Sequence, residues 1–156
     1  MRSSLAPAAL CGLLVSVANA ASSTISARTA CYSGVFVLVS RGSEEAQGQS
    51  VLEGIAGPLT SAIPNSGSNE VVYPAWLSFW NSANTGVTNA QQQMQDYYPS
   101  CPDGKMVLLG YSQGSYVLAN ALAGGNFSGE SWSPIASDIG ANSELRCERS
   151  EEVSHV

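Results

Sequence analysis

The sequence predicts an α/β fold, a parallel sheet with helices on both faces. Three observations carry this. Short runs such as Val35 to Val39 (VFVLV) are continuously apolar and β-branched, as in strands buried on both faces. Stretches with helical spacing separate them. The two kinds of segment alternate along the chain, which is the order of parallel crossover units.

Val35 to Val39 is the first strand. Gln49 to Ile63 follows, with Val51, Leu52, Ile55, Leu59 and Ile63 on one helical face. Pro58 lies inside that pattern and is expected to kink or split the helix. Asn65 to Asn69 reads as a polar turn, and Val71 to Tyr73, closed by Pro74, as a second strand. Thr88 to Tyr98 reads as a helix with Ala90, Met94 and Tyr97 facing inward, ended by Pro99 and Pro102. Met106 to Leu109 is the third strand. Gln113 to Leu122 is the third helix, stopped by Gly124 and Gly125.

With 156 residues the chain is long enough for one domain with a real core. It carries 12 Asp and Glu against 6 Lys and Arg, and no basic stripe points to a nucleic-acid partner. The start is a short basic segment (Met1, Arg2), an apolar run from Leu5 to Val17 and a small-residue site at Ala18 to Ala20. Residues 1–20 are therefore expected to be a secretory signal peptide, and the product to be secreted. The run is too short to span a bilayer comfortably, and no later stretch is apolar enough to be a membrane helix. Export would make disulfides possible. Without Cys11 the remaining Cys31, Cys101 and Cys147 allow one bridge and leave one thiol. Asn126, in Asn-Phe-Ser after a Gly-Gly pair, is an N-glycosylation acceptor.

Gly110-Tyr111-Ser112-Gln113-Gly114 fits the G-x-S-x-G nucleophile elbow. That motif needs a buried strand before the serine and a helix directly after it, and both are predicted here. The tight turn strains the serine backbone, and the glycines let strand and helix approach closely. Helix-start N–H groups would then face the serine oxygen, and the Gln113 N–H would form half of an oxyanion hole. The plainer reading is a Gly-Ser turn without chemistry. A dinucleotide-binding reading fails, because no G-x-G-x-x-G follows the first strand.

From Cys31 to Gly125 the chain resembles the cutinases and related fungal acetylxylan esterases, secreted α/β-hydrolases that attack carboxylic esters. "FVLVSRGSEE", "VVYPA" and "YPSCPDGKMVLLGYSQGSYVLANAL" carry the resemblance in the family's order. It implies Ser112 as nucleophile, Gln113 and Ser43 as oxyanion-hole residues, and a Cys31–Cys101 bridge. It implies an ester substrate, either a cutin-type polyester or acetylated xylan, and no metal or organic cofactor. "WLSFW", Trp76 to Trp80, departs from the family's pattern; it could line a substrate groove, but such aromatics more often cap a core edge.

The resemblance stops near Asn142. The family's order is Ser, Asp, His, and the one aspartate after Ser112, Asp138, falls too early. His155 is the one histidine; nothing in the sequence positions it as the base. Residues 143–156 (SELRCERSEEVSHV) are far more charged than what precedes them and show no clear strand or helix pattern. The expectation is a signal peptide at 1–20, a partial cutinase-like domain at 21–142 lacking the family's last strands and helix, and a tail at 143–156 foreign to that fold. The third strand would then be an unpaired apolar edge prone to association, and activity would be weak or absent. An alternative is a non-catalytic secreted relative that binds wall polymer or a partner through its Trp-rich loop.

Overall fold

The computed structural model describes residues 30–135, residue 139 and residues 143–148. Its elements are β1 (Val35–Ser40), α1 (Glu53–Ala62), β2 (Gly67–Glu70), α2 (Phe79–Ser100), β3 (Lys105–Tyr111), α3 (Gln113–Ala123), β4 (Gly125–Phe127), β5 (Glu130–Trp132) and β6 (Ser143–Glu148). The main sheet is parallel in the order β2-β1-β3-β6. β4 and β5 form a separate antiparallel hairpin.

The apolar run of β1 exists because both of its faces are covered. Phe36 and Leu38 enter one core with Met106, Leu108 and residues of α2 and α3. Val37 and Val39 enter the other with Leu109, Leu52 and Ala56. The disulfide Cys31–Cys101, with Cα atoms 5.4 Å apart, joins the entry of β1 to the entry of β3.

Three sequence expectations need correction. The second strand is Gly67–Glu70, not Val71–Tyr73. At this sheet edge Ser68 and Asn69 are exposed, and backbone bonds rather than apolar side chains make the pairing. Val71, whose N–H still donates to the Val39 carbonyl at 2.8 Å, and Tyr73 lie past the strand and are buried in the larger core. Helix α1 is continuous through Pro58. Its buried line is Leu52 and Ala56, with Leu59 packed beside them, whereas Val51 and Ile55 are exposed. Helix α2 starts at Phe79, nine residues before the expected Thr88, while its inward residues Ala90, Met94 and Tyr97 are buried as read.

The largest difference lies beyond β3. The sequence sets residues 143–156 apart as a patternless tail and leaves β3 unpaired on that side. The structure places β6 there, in register from Met106↔Ser143 to Tyr111↔Glu148. A charged sequence can form this ladder because its bonds come from main-chain N–H and C=O groups.

Candidate active site

The register Ser40↔Gly110 aligns the carboxyl ends of β1 and β3. In parallel sheets ligands bind at that end. The loop after β1 and the turn after β3 therefore emerge side by side.

Ser112 caps α3 with φ 51° and ψ −116°, a backbone region that L residues seldom occupy. Its side of the turn is exposed, while Gln113 and Gly114 behind it are buried. The Ser112 carbonyl accepts the first helical bond, from the Ser115 N–H at 3.0 Å. Ser115 Oγ donates back to the Gly110 carbonyl at 2.8 Å. A Cβ at Gly114 would lie 1.9 Å from the Ser40 carbonyl oxygen, and one at Gly110 would lie 2.8 Å from Ser115 Cα. Both glycines are thus required by contact, as the motif predicts.

The Gln113 backbone N–H lies in the first turn of α3, where the helix itself supplies no acceptor. Its side chain is fully buried. Gln113 Nε2 donates to the carbonyls of Trp76 at 3.1 Å and Phe79 at 3.4 Å, and Oε1 accepts from Ser82 Oγ at 3.1 Å. The amide therefore fastens the Trp76–Ser82 segment to the elbow.

Ser43 stands in the turn after β1, in which the Glu45 N–H donates to the Gly42 carbonyl at 3.4 Å. Arg41, 4% exposed, organises this loop. Its Nε donates to the Glu45 carbonyl at 2.8 Å and a terminal nitrogen to Gln47 Oε1 at 2.6 Å. It also donates to the carbonyls of Val71, at 3.3 Å, and Tyr73. The guanidinium lies 4.8 Å from the Tyr73 ring centroid, and the Tyr73 hydroxyl donates to the Arg41 carbonyl. Burial pushes the Tyr73 hydroxyl up to about 12, against the opposing pull of the nearby Ser40 hydroxyl and the Arg41 charge. It remains a neutral donor.

The carboxylate of Glu45 accepts from the Gly42 N–H at 2.6 Å, Ser50 Oγ at 3.0 Å and the Val51 N–H at 2.9 Å. Glu44 links outward: its N–H donates to the Ala75 carbonyl at 2.6 Å, and its side chain accepts from the Leu77 N–H at 3.0 Å. The Ser43 turn, the elbow and the 75–82 segment form one hydrogen-bonded unit. Sequence reasoning missed Arg41, Glu45, Tyr73 and Ser82. An arginine beside a strand end was visible, but its carbonyl partners lie about thirty residues away.

The aromatic segment divides. Phe79 packs against the core and meets Trp80 and Tyr116 edge-on, at centroid distances of 4.7 and 5.4 Å. Trp76 and Leu77 stand 58% and 75% exposed. Leu77, Ser78, Phe79, Trp80, Asn81 and Ser128 line a groove of about 380 Å³.

Asp138, His155 and residues 1–20 lie outside the described residues. Cys147 lies on β6 opposite Gly110, and Asn126 on β4 is exposed. Among the described residues no helix is long and apolar enough to cross a membrane.

A family model described as Cutinase matches residues 30–153, running through the charged segment. Acetylxylan esterase of Hypocrea jecorina is 33% identical over 104 residues, covering 62% of this chain and 34% of that protein. Cutinase 11 of Verticillium dahliae is 31% identical over 121 residues, covering 72% of this chain and 41% of that protein. The chain thus spans well under half the length of either relative. The catalytic core domain of acetyl xylan esterase from Trichoderma reesei superposes with a TM-score of 0.66 at 27% identity, over 76% of this chain and 63% of that one.

Proposed function

We propose that this chain, which belongs to the cutinase family of α/β-hydrolases, works as a serine esterase through an acyl-enzyme on Ser112. The observation that carries the reading is the Ser112 backbone, φ 51° at the head of α3 and walled by glycine contacts. Strain of this kind survives only where the surroundings enforce it.

In the proposed reaction Ser112 Oγ attacks the ester carbonyl carbon and its proton passes to a base. The oxyanion is held by the Gln113 N–H and by Ser43. Collapse expels the alcohol, which takes the proton from the base. Water then cleaves the acyl-serine and releases the acid. His155 is the candidate base, being the one histidine in the sequence. Substrates are carboxylic esters; relatives named acetylxylan esterase and cutinase support acetylated polysaccharide and polyester alike. Residues 1–20 direct secretion, and Asn126 accepts a glycan. A second reading, a non-catalytic polymer binder, is favoured by the exposure of Trp76 and Leu77.

The test is hydrolysis of p-nitrophenyl acetate by the full chain beside Ser112→Ala and His155→Ala. Activity lost by about 10³-fold or more in Ser112→Ala supports the nucleophile. An equal loss in His155→Ala assigns the base. Equal rates in all three, at background, leave polymer binding as the reading.

A further inference from the structure

We propose that the exposed face of α2 and the β5 strand form a neutral oligosaccharide-binding site, separate from the ester-cleaving centre. A second groove of about 380 Å³ runs between them, within the size range of small-ligand sites. Its helical wall is Asn81, Asn84, Thr85, Thr88 and Asn89; the other wall is Glu130 and Trp132.

The helical spacing explains the wall. Ser82, Ala83, Gly86, Val87 and Ala90 are buried in the core, so the intervening positions turn outward together. Every one of them is an amide or a hydroxyl. The hairpin is held against the helix: Gln91 Nε2 donates to the Ser133 carbonyl at 2.8 Å, just past β5, and Trp132 Nε1 donates to Thr88 Oγ1 at 3.3 Å. The indole is thus fixed by a bond at one edge.

The lining selects by chemistry. Among the described residues it contains no cation that would hold a phosphate or carboxylate ligand. One carboxylate is too few for a metal. One aromatic among amides and hydroxyls gives little to an acyl chain. Thr85 and Thr88 donate their hydroxyl protons to the Asn81 and Asn84 carbonyls and Asn89 Nδ2 donates to the Val72 carbonyl, so the wall offers mainly acceptors beside one ring, which suits a ligand rich in hydroxyl donors with apolar C–H faces. That ligand class is the neutral sugars.

The N-glycan acceptor does not compete. In the hairpin register Asn126 pairs with Ser131, so it shares a face with Ser131 and opposes that of Glu130 and Trp132. A glycan there would project away from the groove.

The test titrates xylohexaose, cellohexaose and an anionic galacturonate hexamer into the full chain by calorimetry, in the Ser112→Ala background so that hydrolysis plays no part. The expected result is saturable binding of at least one neutral hexamer and at least threefold weaker binding of the anionic one. Trp132→Ala should weaken binding tenfold or more. Because Trp132 also packs on the core, the exposed variant Thr85→Ala, which lines this groove alone, is the second arm, with about twofold weaker binding expected at unchanged Tm. No saturable binding of either neutral hexamer would overturn the site, as would an unchanged Kd in both variants. Esterase failure leaves these readouts untouched.

Discussion

The two flanks of β3 are both parallel ladders, but they are written in sequences of different character. On the β1 side, side chains from distant segments converge: two cores, a disulfide, a buried arginine and glycines pressed against carbonyls. On the β6 side, the ladder from Ser143 to Glu148 pairs main chain with main chain, along a sequence carrying Glu144, Arg146 and Glu148. The first flank builds the candidate oxyanion pocket. The second continues the sheet.

The largest effect expected on the β1 flank comes from the disulfide. Cys31→Ser/Cys101→Ser opens a closed loop with a sequence separation of 70. In the chain-entropy picture this costs roughly 4 kcal/mol. Denaturant unfolding of the double variant measures it; a change below about 1 kcal/mol would mean that the side-chain network alone defines this flank.

Next is Gly114→Ala. Its Cβ would sit 1.9 Å from the Ser40 carbonyl oxygen and 2.6 Å from that of Arg41, both backbone atoms with little freedom to yield. A cost of about 3 kcal/mol is expected, with lost esterase activity because the helix start must move from the Ser43 turn. Wild-type stability and rate in this variant would show that the elbow and the β1 exit are less tightly coupled than their contact implies.

Both positions were legible in the sequence, and the reason is physical. The elbow is a local device: strand, turn, serine, glycine and helix follow one another within a dozen residues. The disulfide partners were legible through family resemblance. Features built from far-apart segments were not. Arg41 lies beside the strand end in plain view, yet its binding partners are carbonyls that no side-chain pattern announces. Val71 to Tyr73 was read as a strand because it is apolar, but its apolarity serves the core beyond the sheet edge. β6 was missed although Glu144, Leu145, Arg146, Cys147 and Glu148 alternate polar and apolar at the period of a strand, because the run is short and its charge resembles that of a solvated tail. The geometry of the elbow was therefore readable. His155 lies outside the described residues, so its role rests on the activity test.

The β6 flank is probed by ending the chain after Asn142. Removing the strand leaves β3 with unpaired main-chain groups along an apolar edge. Amide exchange of Met106 to Leu109 should accelerate by about tenfold or more, with association visible by light scattering. Unchanged protection would show that β6 adds nothing to the sheet in solution.

The smallest effect concerns Tyr73, and it separates the flanks by pH. Its hydroxyl titrates near 12 in the folded chain against about 10 when unfolded, chiefly because burial disfavours the phenolate. Below pH 10 both states hold the proton and stability is unaffected. Between about 10 and 12 the unfolded chain releases it and the folded chain does not, so folding stability falls as pH rises. Tyr73→Phe should flatten that part of the profile. At neutral pH it should cost about 1 kcal/mol for the lost bond to the Arg41 carbonyl. A substitution in the Ser43 turn's support is then expected to lower kcat, because the turn carries the proposed second oxyanion donor, with KM little changed. If Tyr73→Phe lowers stability and leaves kcat untouched, the arginine alone positions the turn.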